Sequence, residues 1–278
     1  MKPLFIDIET AAEFKNLPKS KEKLFCYKNR DKVSGTPLPV NEAKELYKSR
    51  AALSPITGKI VCISVGIMDG DKLRMIALTG DERKLIKEFY KIAQDKFTIV
   101  VHNKQFDLPF IRVRAMKHGV PIPTHLNDSF CKPWDVGLEP RAKVKVYDTM
   151  DAIKGIGYNN YSLDEVCDVL GVKSPKDGIG GADVSSEYYK GNLETIVEYC
   201  NKDVFAMSQC YHVLTGENID YTMLVVKAPE VKTYTNSLTE IFETGESSLV
   251  GDDMGKLSTN KDKEIFNTLL KAAKNVED

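Results

Sequence analysis

Apolar and polar residues alternate with a period of two over residues 3–9, which predicts a strand. Leu4, Ile6 and Ile8 share one face; Phe5, Asp7 and Glu9 share the other. Residues 13–55 are polar, with lysine-rich runs and a Pro/Gly break at 35–39, and read as an excursion with one helix near 41–52. The apolar run at 59–68 predicts a buried strand. Asp69-Gly70-Asp71 is a hairpin turn signal, with 72–78 as the return strand. Over 81–94, Leu85, Ile86, Phe89 and Ile92 repeat at helical spacing behind Asp81. Residues 97–103 form another apolar strand. A helix follows from about Leu108, with Pro109 tolerated in its first turn.

Residues 119–140 carry four prolines and read as loop. The stretch 141–147 alternates again, as a half-exposed strand with Arg141, Lys143 and Lys145 on its wet face. Short helices fit 149–154 and 162–170. A Gly/Lys-rich loop covers 171–191, and Asn192 has the chemistry to cap a long helix reaching about Leu214. After Tyr221 apolar density drops. Residues 228–262 look weakly ordered, and 263–274 carry one more helical pattern with Ile265, Phe266, Leu269 and Leu270. The order of elements predicts an α/β fold: a three-strand antiparallel meander extended by parallel strands, with helices on both faces. The predicted domain is 1–221, followed by a polar extension at 222–278.

Composition narrows the class. The chain has 278 residues, 42% hydrophobic and 28% charged, as in soluble globular proteins. No apolar run approaches the roughly 18 residues of a membrane span, and the N-terminus lacks secretory-signal features; a cytoplasmic protein is expected. The six cysteines are scattered without a C-x-x-C pair, which argues against a zinc ribbon or a disulfide framework. Net charge is −1 and the pI about 6.5. A polyanionic partner would need a local basic site or bound cations.

Three carboxylate placements disturb the apolar pattern. Asp7 and Glu9 sit two apart on a strand; alone they fit an edge strand with a wet face. Asp107 stands at a helix start, where the macrodipole already favours it. Tyr199 and Asp203 are four apart on one helix face, which a surface hydrogen bond would explain. Together, four acids flanked by apolar sequence offer the hard oxygen ligands that Mg²⁺ or Mn²⁺ take. Two such ions about 3.5–4 Å apart can clamp an in-line phosphoryl displacement.

The stretches FIDIET, HNKQFD and YCNKD resemble the three motifs of the DEDD, or DnaQ-like, 3′–5′ exonucleases: D-x-E-T, N-x-x-x-F-D and Y-x-x-x-D. The last marks the tyrosine branch, since Glu198 occupies the position where the other branch has histidine. Within that superfamily the chain resembles the predicted exonucleases related to the exonuclease domain of family B DNA polymerases, also through KIVCISVGI, YSLDEVCDVLGV and DGIGGADV. The resemblance runs from about residue 3 to 214 and implies a ribonuclease-H-like fold.

The roles it implies are specific. Asp7 bridges two Mg²⁺ or Mn²⁺ ions. Glu9 and Asp203 hold the ion that activates water, Asp107 helps place the other, and Tyr199 orients the water. Thr10 and Asn103 fit positions that hold the terminal nucleotide. Asp148 either supports the site from behind or is purely structural. Arg141, Lys143 and Lys145, with Lys173 and Lys176 in the loop before the last helix, are candidate phosphate contacts or a solvated face. His102 and Phe106 read as packing residues, and Trp134 as a loop anchor or a stacking platform. The implied activity is 3′–5′ hydrolysis of single-stranded DNA or unpaired ends. The same chemistry on RNA, a binding module without catalysis, and a proofreading subunit are the competing readings. The 263–274 helix is either a docking peptide for a protein partner or packed on its own domain.

Overall fold

Strand β1 (Lys2–Ala12) lies at the centre of a mixed sheet because almost every residue from Leu4 to Ala12 is buried. The computed structural model describes residues 1–175, 178–217 and 225–234. β1 pairs antiparallel with β2 (Gly58–Asp69), which turns at Gly70 (φ 65°) into antiparallel β3 (Lys72–Gly80). On its other side β1 pairs parallel with β4 (Phe97–Val101), and β4 with β6 (Val144–Asp148). The short β5 (Val136–Gly137) and the later β7 (Val225–Tyr234) complete the order β5-β6-β4-β1-β2-β3-β7. The meander flanked by parallel strands is a ribonuclease-H-like arrangement. No described helix is long and apolar enough to cross a membrane.

The alternation in β1 sorts the two cores. Leu4, Ile6 and Ile8 pack with α3 (Glu82–Ile92) and α4 (Asp107–Lys117) through Leu85, Phe89, Phe110 and Ile111. Phe5 faces the opposite side, against Val204 and Met207 of the long helix α8 (Leu193–Thr215). α8 sits close to the sheet at Gly66, where a Cβ would fall 2.9 Å from the Val204 side chain. The Ser64 hydroxyl donates to Asn201 and fixes the rotation of α8 about its axis.

α4 is fastened by charge. Arg114 is fully buried and grips Glu82 of α3 through Nε and Nη2 at 2.8 and 2.6 Å. Glu82 also accepts from the Ile60 backbone and pairs with His118. Burial pushes the Glu82 carboxyl up, but these hydrogen bonds outweigh it and hold the group below its usual range. Removing one partner of such a pair leaves the other buried and uncompensated.

Several expectations are modified. The excursion holds two helices, α1 (Lys19–Lys28) and α2 (Val40–Arg50), around a core of their own that includes Phe25, Ala43 and Tyr47. α1 buries only Phe25 and Cys26, too few positions to show a period. The predicted 141–147 strand is β6, starting at Val144, although Ala142, Val144 and Val146 alternate inward as expected. α5 (Thr149–Lys154) and α6 (Leu163–Leu170) fall where predicted. α7 (Val184–Lys190) stands inside the expected loop. Asn192 precedes α8 without capping it; its amide donates to Glu187 instead. Part of the weakly ordered stretch, up to Tyr234, belongs to β7. Pro229 sits at the register shift between Arg74 and Ile76, where a missing N–H is tolerated in an edge strand. Met1–Tyr234 forms one compact unit. The 263–274 helix pattern lies outside the described residues.

The Arg114–Glu82 pair gives a direct test of α4 anchoring. Arg114→Met is expected to lower unfolding free energy in urea by about 3–5 kcal/mol. A loss under about 1 kcal/mol would show that the pair does not anchor the helix.

Candidate active site

Asp7 and Glu9 project from β1 toward α8, opposite the Ile6–Ile8 face. β4 pairs with β1 only as far as Phe5. The Ile8 N–H beyond it is therefore open on that edge, and Asp107 Oδ1 accepts it at 3.1 Å. The helix start of α4 thus hooks onto β1 between the two acids. α8 brings Tyr199 and Asp203, one turn apart, over the same point, and the Tyr199 hydroxyl bonds to Asp203. All five side chains line one cleft of about 370 Å³, together with His102, Asn103, Phe106, Met150, Asn160, Tyr161 and Ser162. A larger cleft of about 910 Å³ lies between α8 and the β3–β7 edge and gathers no comparable set.

Like charges at low exposure set the electrostatics. Burial, then Glu9, Asp203 and Asp107, raise the Asp7 carboxyl well above its ordinary value. Burial, then Asp203, raise Glu9 in the same way. Burial pushes Asp107 up to about 8, against the lowering effect of the Ile8 N–H. Among the described residues no lysine or arginine lines this cleft, so the cluster fits hard divalent cations by its donor type and by its uncompensated charge. Burial and the neighbouring carboxylates raise the Tyr199 phenol, which stays neutral and able to donate.

A rigid turn supports this set. Asp148 is buried at the end of β6 and accepts from the backbone N–H groups of Asn103, Lys104 and Met150. It holds Asn103 in the left-handed region (φ 74°), so that the chain turns from β4 into α4 and delivers Asp107. Asn103 Oδ1 accepts from Gln105, which leaves its amide N–H₂ for the cleft. His102 is bonded to Thr149 and to the Tyr161 carbonyl, and burial lowers its pKa, so it is a neutral packing residue. Phe106 packs on the core and also walls the cleft.

Other candidates are not brought together. Thr10 follows the register shift after Glu9, and its hydroxyl donates to Ala52 O, away from the cleft. Arg141 lines a separate cleft beside Trp134. Lys143 pairs with Asp135, and Lys145 donates to the Glu139 carbonyl near the far end of β4. Lys176 lies outside the described residues. One neighbour was missed. The Cys200 thiol donates to Asp7 Oδ2 at 3.2 Å, and ligand atoms of Asp7, Glu9 and Cys200 lie within 4.8 Å of one another. Its position next to Tyr199 was the available signal. Burial raises the Cys200 thiol, which makes it a donor that orients Asp7.

Residues 53–219 match the model of a family described as predicted 3′–5′ exonucleases related to the exonuclease domain of PolB. The chain belongs to this family. It is also 30% identical to a DNA polymerase of Archaeoglobus fulgidus over 164 residues, 57% of this chain and 20% of the polymerase. A DNA polymerase of Pyrococcus glycovorans is 26% identical over 162 residues, 52% of this chain and 21% of that protein. The chain thus spans about a fifth of these relatives. Within this member of the exonuclease family, Asp107, Tyr199 and Asp203 fall inside the family match; Asp7 and Glu9 lie before it and are joined to them by the fold.

Burial of these carboxyls, with their mutual repulsion added, predicts a pH dependence for the metal-free protein. Asp107 ionises near 3.8 when unfolded and near 8 when folded, so its stabilising contribution is complete below the first value and lost as pH rises through the second. Asp7→Asn removes a second carboxyl that burial, then Glu9, Asp203 and Asp107, raise in the folded state. In EDTA, its melting temperature is expected to fall less than wild type between about pH 6 and pH 8.5; parallel curves would refute the raised Asp7 carboxyl. Comparing the two proteins cancels the histidines.

Proposed function

We propose that the protein is a metal-dependent 3′–5′ exonuclease acting on single-stranded DNA or unpaired 3′ ends and releasing nucleoside 5′-monophosphates. The observation that carries this reading is the convergence of four carboxylates, with a neutral tyrosine, in a cleft that no cationic side chain lines among the described residues. The family's description as predicted 3′–5′ exonucleases supports this direction of attack and a phosphodiester substrate.

Asp7, Glu9, Asp107 and Asp203 would hold two Mg²⁺ or Mn²⁺ ions. When bound, the ions would lower the pKa of the attacking water and stabilise charge on the leaving 3′ oxygen. The chain's own groups do the rest. The Tyr199 hydroxyl orients the water, and its raised pKa excludes it as a base. The Cys200 thiol and the Ile8 N–H hold Asp7 and Asp107 in place. The Asn103 amide and the Phe106 ring offer a polar and an apolar contact to the terminal nucleotide. Water attacks phosphorus, the bond to the 3′ oxygen breaks, and the monophosphate departs.

The test is a gel assay with 5′-labelled DNA and RNA of one sequence, in Mg²⁺, Mn²⁺ or EDTA. The expected result is a metal-dependent ladder shortening from the 3′ end, faster on DNA and absent for Asp7→Ala. Faster RNA cleavage would reassign the substrate; no cleavage of either would overturn the enzyme. Tyr199→Phe is expected to lower kcat about 10²-fold with little change in KM, the cost of a misplaced nucleophile. An unchanged kcat would remove Tyr199 from the mechanism.

A further inference from the structure

A second cleft, of about 430 Å³, opens beyond the end of β1, lined by Ala12, Lys15, Lys48, Ala182, Ser185, Ser186, Tyr189 and Lys190. Among the described residues its lining holds three lysines, two serine hydroxyls and a phenol, and no carboxylate. Two other clefts on this surface differ. The one beside Trp134 carries Glu139, Asp148 and Asp151 against Lys104 and Arg141, and the α8–β7 cleft carries Glu194 and Glu198 against Lys202. In a protein with net charge −1, an acid-free basic cleft is a local anion site.

Its floor is an extension of the catalytic strand. The Ala12 N–H donates to Ser185 Oγ, and the Tyr189 hydroxyl donates to Ala12 O, so both backbone groups of Ala12 tie α7 to β1. Val184 of α7 packs with Ala11, Val197 and Cys200, and Tyr199 packs on the same cluster. The cleft therefore stands rigidly about 10 Å along β1 from Glu9, at a strand rise of about 3.3 Å per residue. Its cations are available. Among the described residues Lys15 has no ionic partner, and Lys48 and Lys190 make only the surface pairs with Glu45 and Glu187 three residues away, which contribute little and exchange readily. Lys15 and Lys48 come from the 13–55 excursion, before the family match begins at 53.

We propose that this cleft binds the phosphodiester backbone of the strand being degraded, a few nucleotides 5′ of the residue held at the carboxylate cluster, and that the excursion exists to build it. This rests on the exonuclease reading, since with the 3′ end at the carboxylates every remaining phosphate lies on the 5′ side. The cleft would make activity depend on strand length.

The test compares wild type with Lys15→Glu/Lys48→Glu, two exposed positions, after matching their melting temperatures. Each protein is given a single-stranded DNA 16-mer and a dinucleotide over a salt series, and 16-mer binding is followed by fluorescence anisotropy in EDTA. The expected result is an at least tenfold fall in the ratio of 16-mer to dinucleotide kcat/KM. The log–log salt slope on the 16-mer should flatten by about 1.4, about 0.7 for each of two lost phosphate contacts. An unchanged ratio and slope, or equal loss on both substrates, would overturn the cleft. If wild type hydrolyses neither substrate, the exonuclease reading fails and anisotropy alone judges the cleft: weaker 16-mer binding by the variant supports it, equal binding overturns it.

Discussion

Four carboxylates crowded at low exposure repel one another, and the rest of the molecule is arranged to hold them against that repulsion. Such a cluster costs free energy unless cations or protons compensate it. Burial first, and the neighbouring carboxylates after it, raise the Asp7, Glu9 and Asp107 carboxyls above their ordinary values. Holding the acids together requires rigid supports from elements distant in sequence. β1 supplies the central position, the Asp148-braced turn sets the approach of α4, and the Ser64–Asn201 bond sets the rotation of α8.

Anchoring and chemistry use opposite electrostatic solutions. Around Glu82, a buried acid is answered by Arg114, His118 and a backbone N–H, and its pKa falls. Around Asp7, only the Cys200 thiol answers, and the pKa rises. The first arrangement needs nothing from outside the chain. The second leaves its charge uncompensated within the cleft, and this distinguishes the Asp7 cluster from the Glu82 pair.

Some sequence signals were strong because they are periodic or combinatorial. The β1–β2–β3 meander, α3, β4, α5, α6 and α8 were legible from apolar spacing. The candidate site was legible because D-x-E, the N-x-x-x-F-D run and Y-x-x-x-D occur in order on elements whose neighbours are apolar, and the fold brings their acids and tyrosine into one cleft. Weak signals failed for physical reasons. α1 buries two residues, α7 buries one, and β7 is an edge strand interrupted by Pro229. Lysines on β6 alternated outward as expected, yet local acids and carbonyls take up Lys143 and Lys145.

The sequence by itself determined the mixed α/β class, the identity of the acids and the tyrosine, and the face of β1 on which Asp7 and Glu9 stand. These depend on local spacing, which the backbone period converts into geometry. Tertiary structure alone decided which groups share a cleft. It turned Thr10 aside through a register shift, put the Cys200 thiol on Asp7, and sent the Asp107 carboxylate to the Ile8 N–H left open where β4 stops pairing. It also joined lysines of the excursion to α7, more than 130 residues away. Such contacts form between segments brought together only by sheet pairing and helix packing, and no local period carries them.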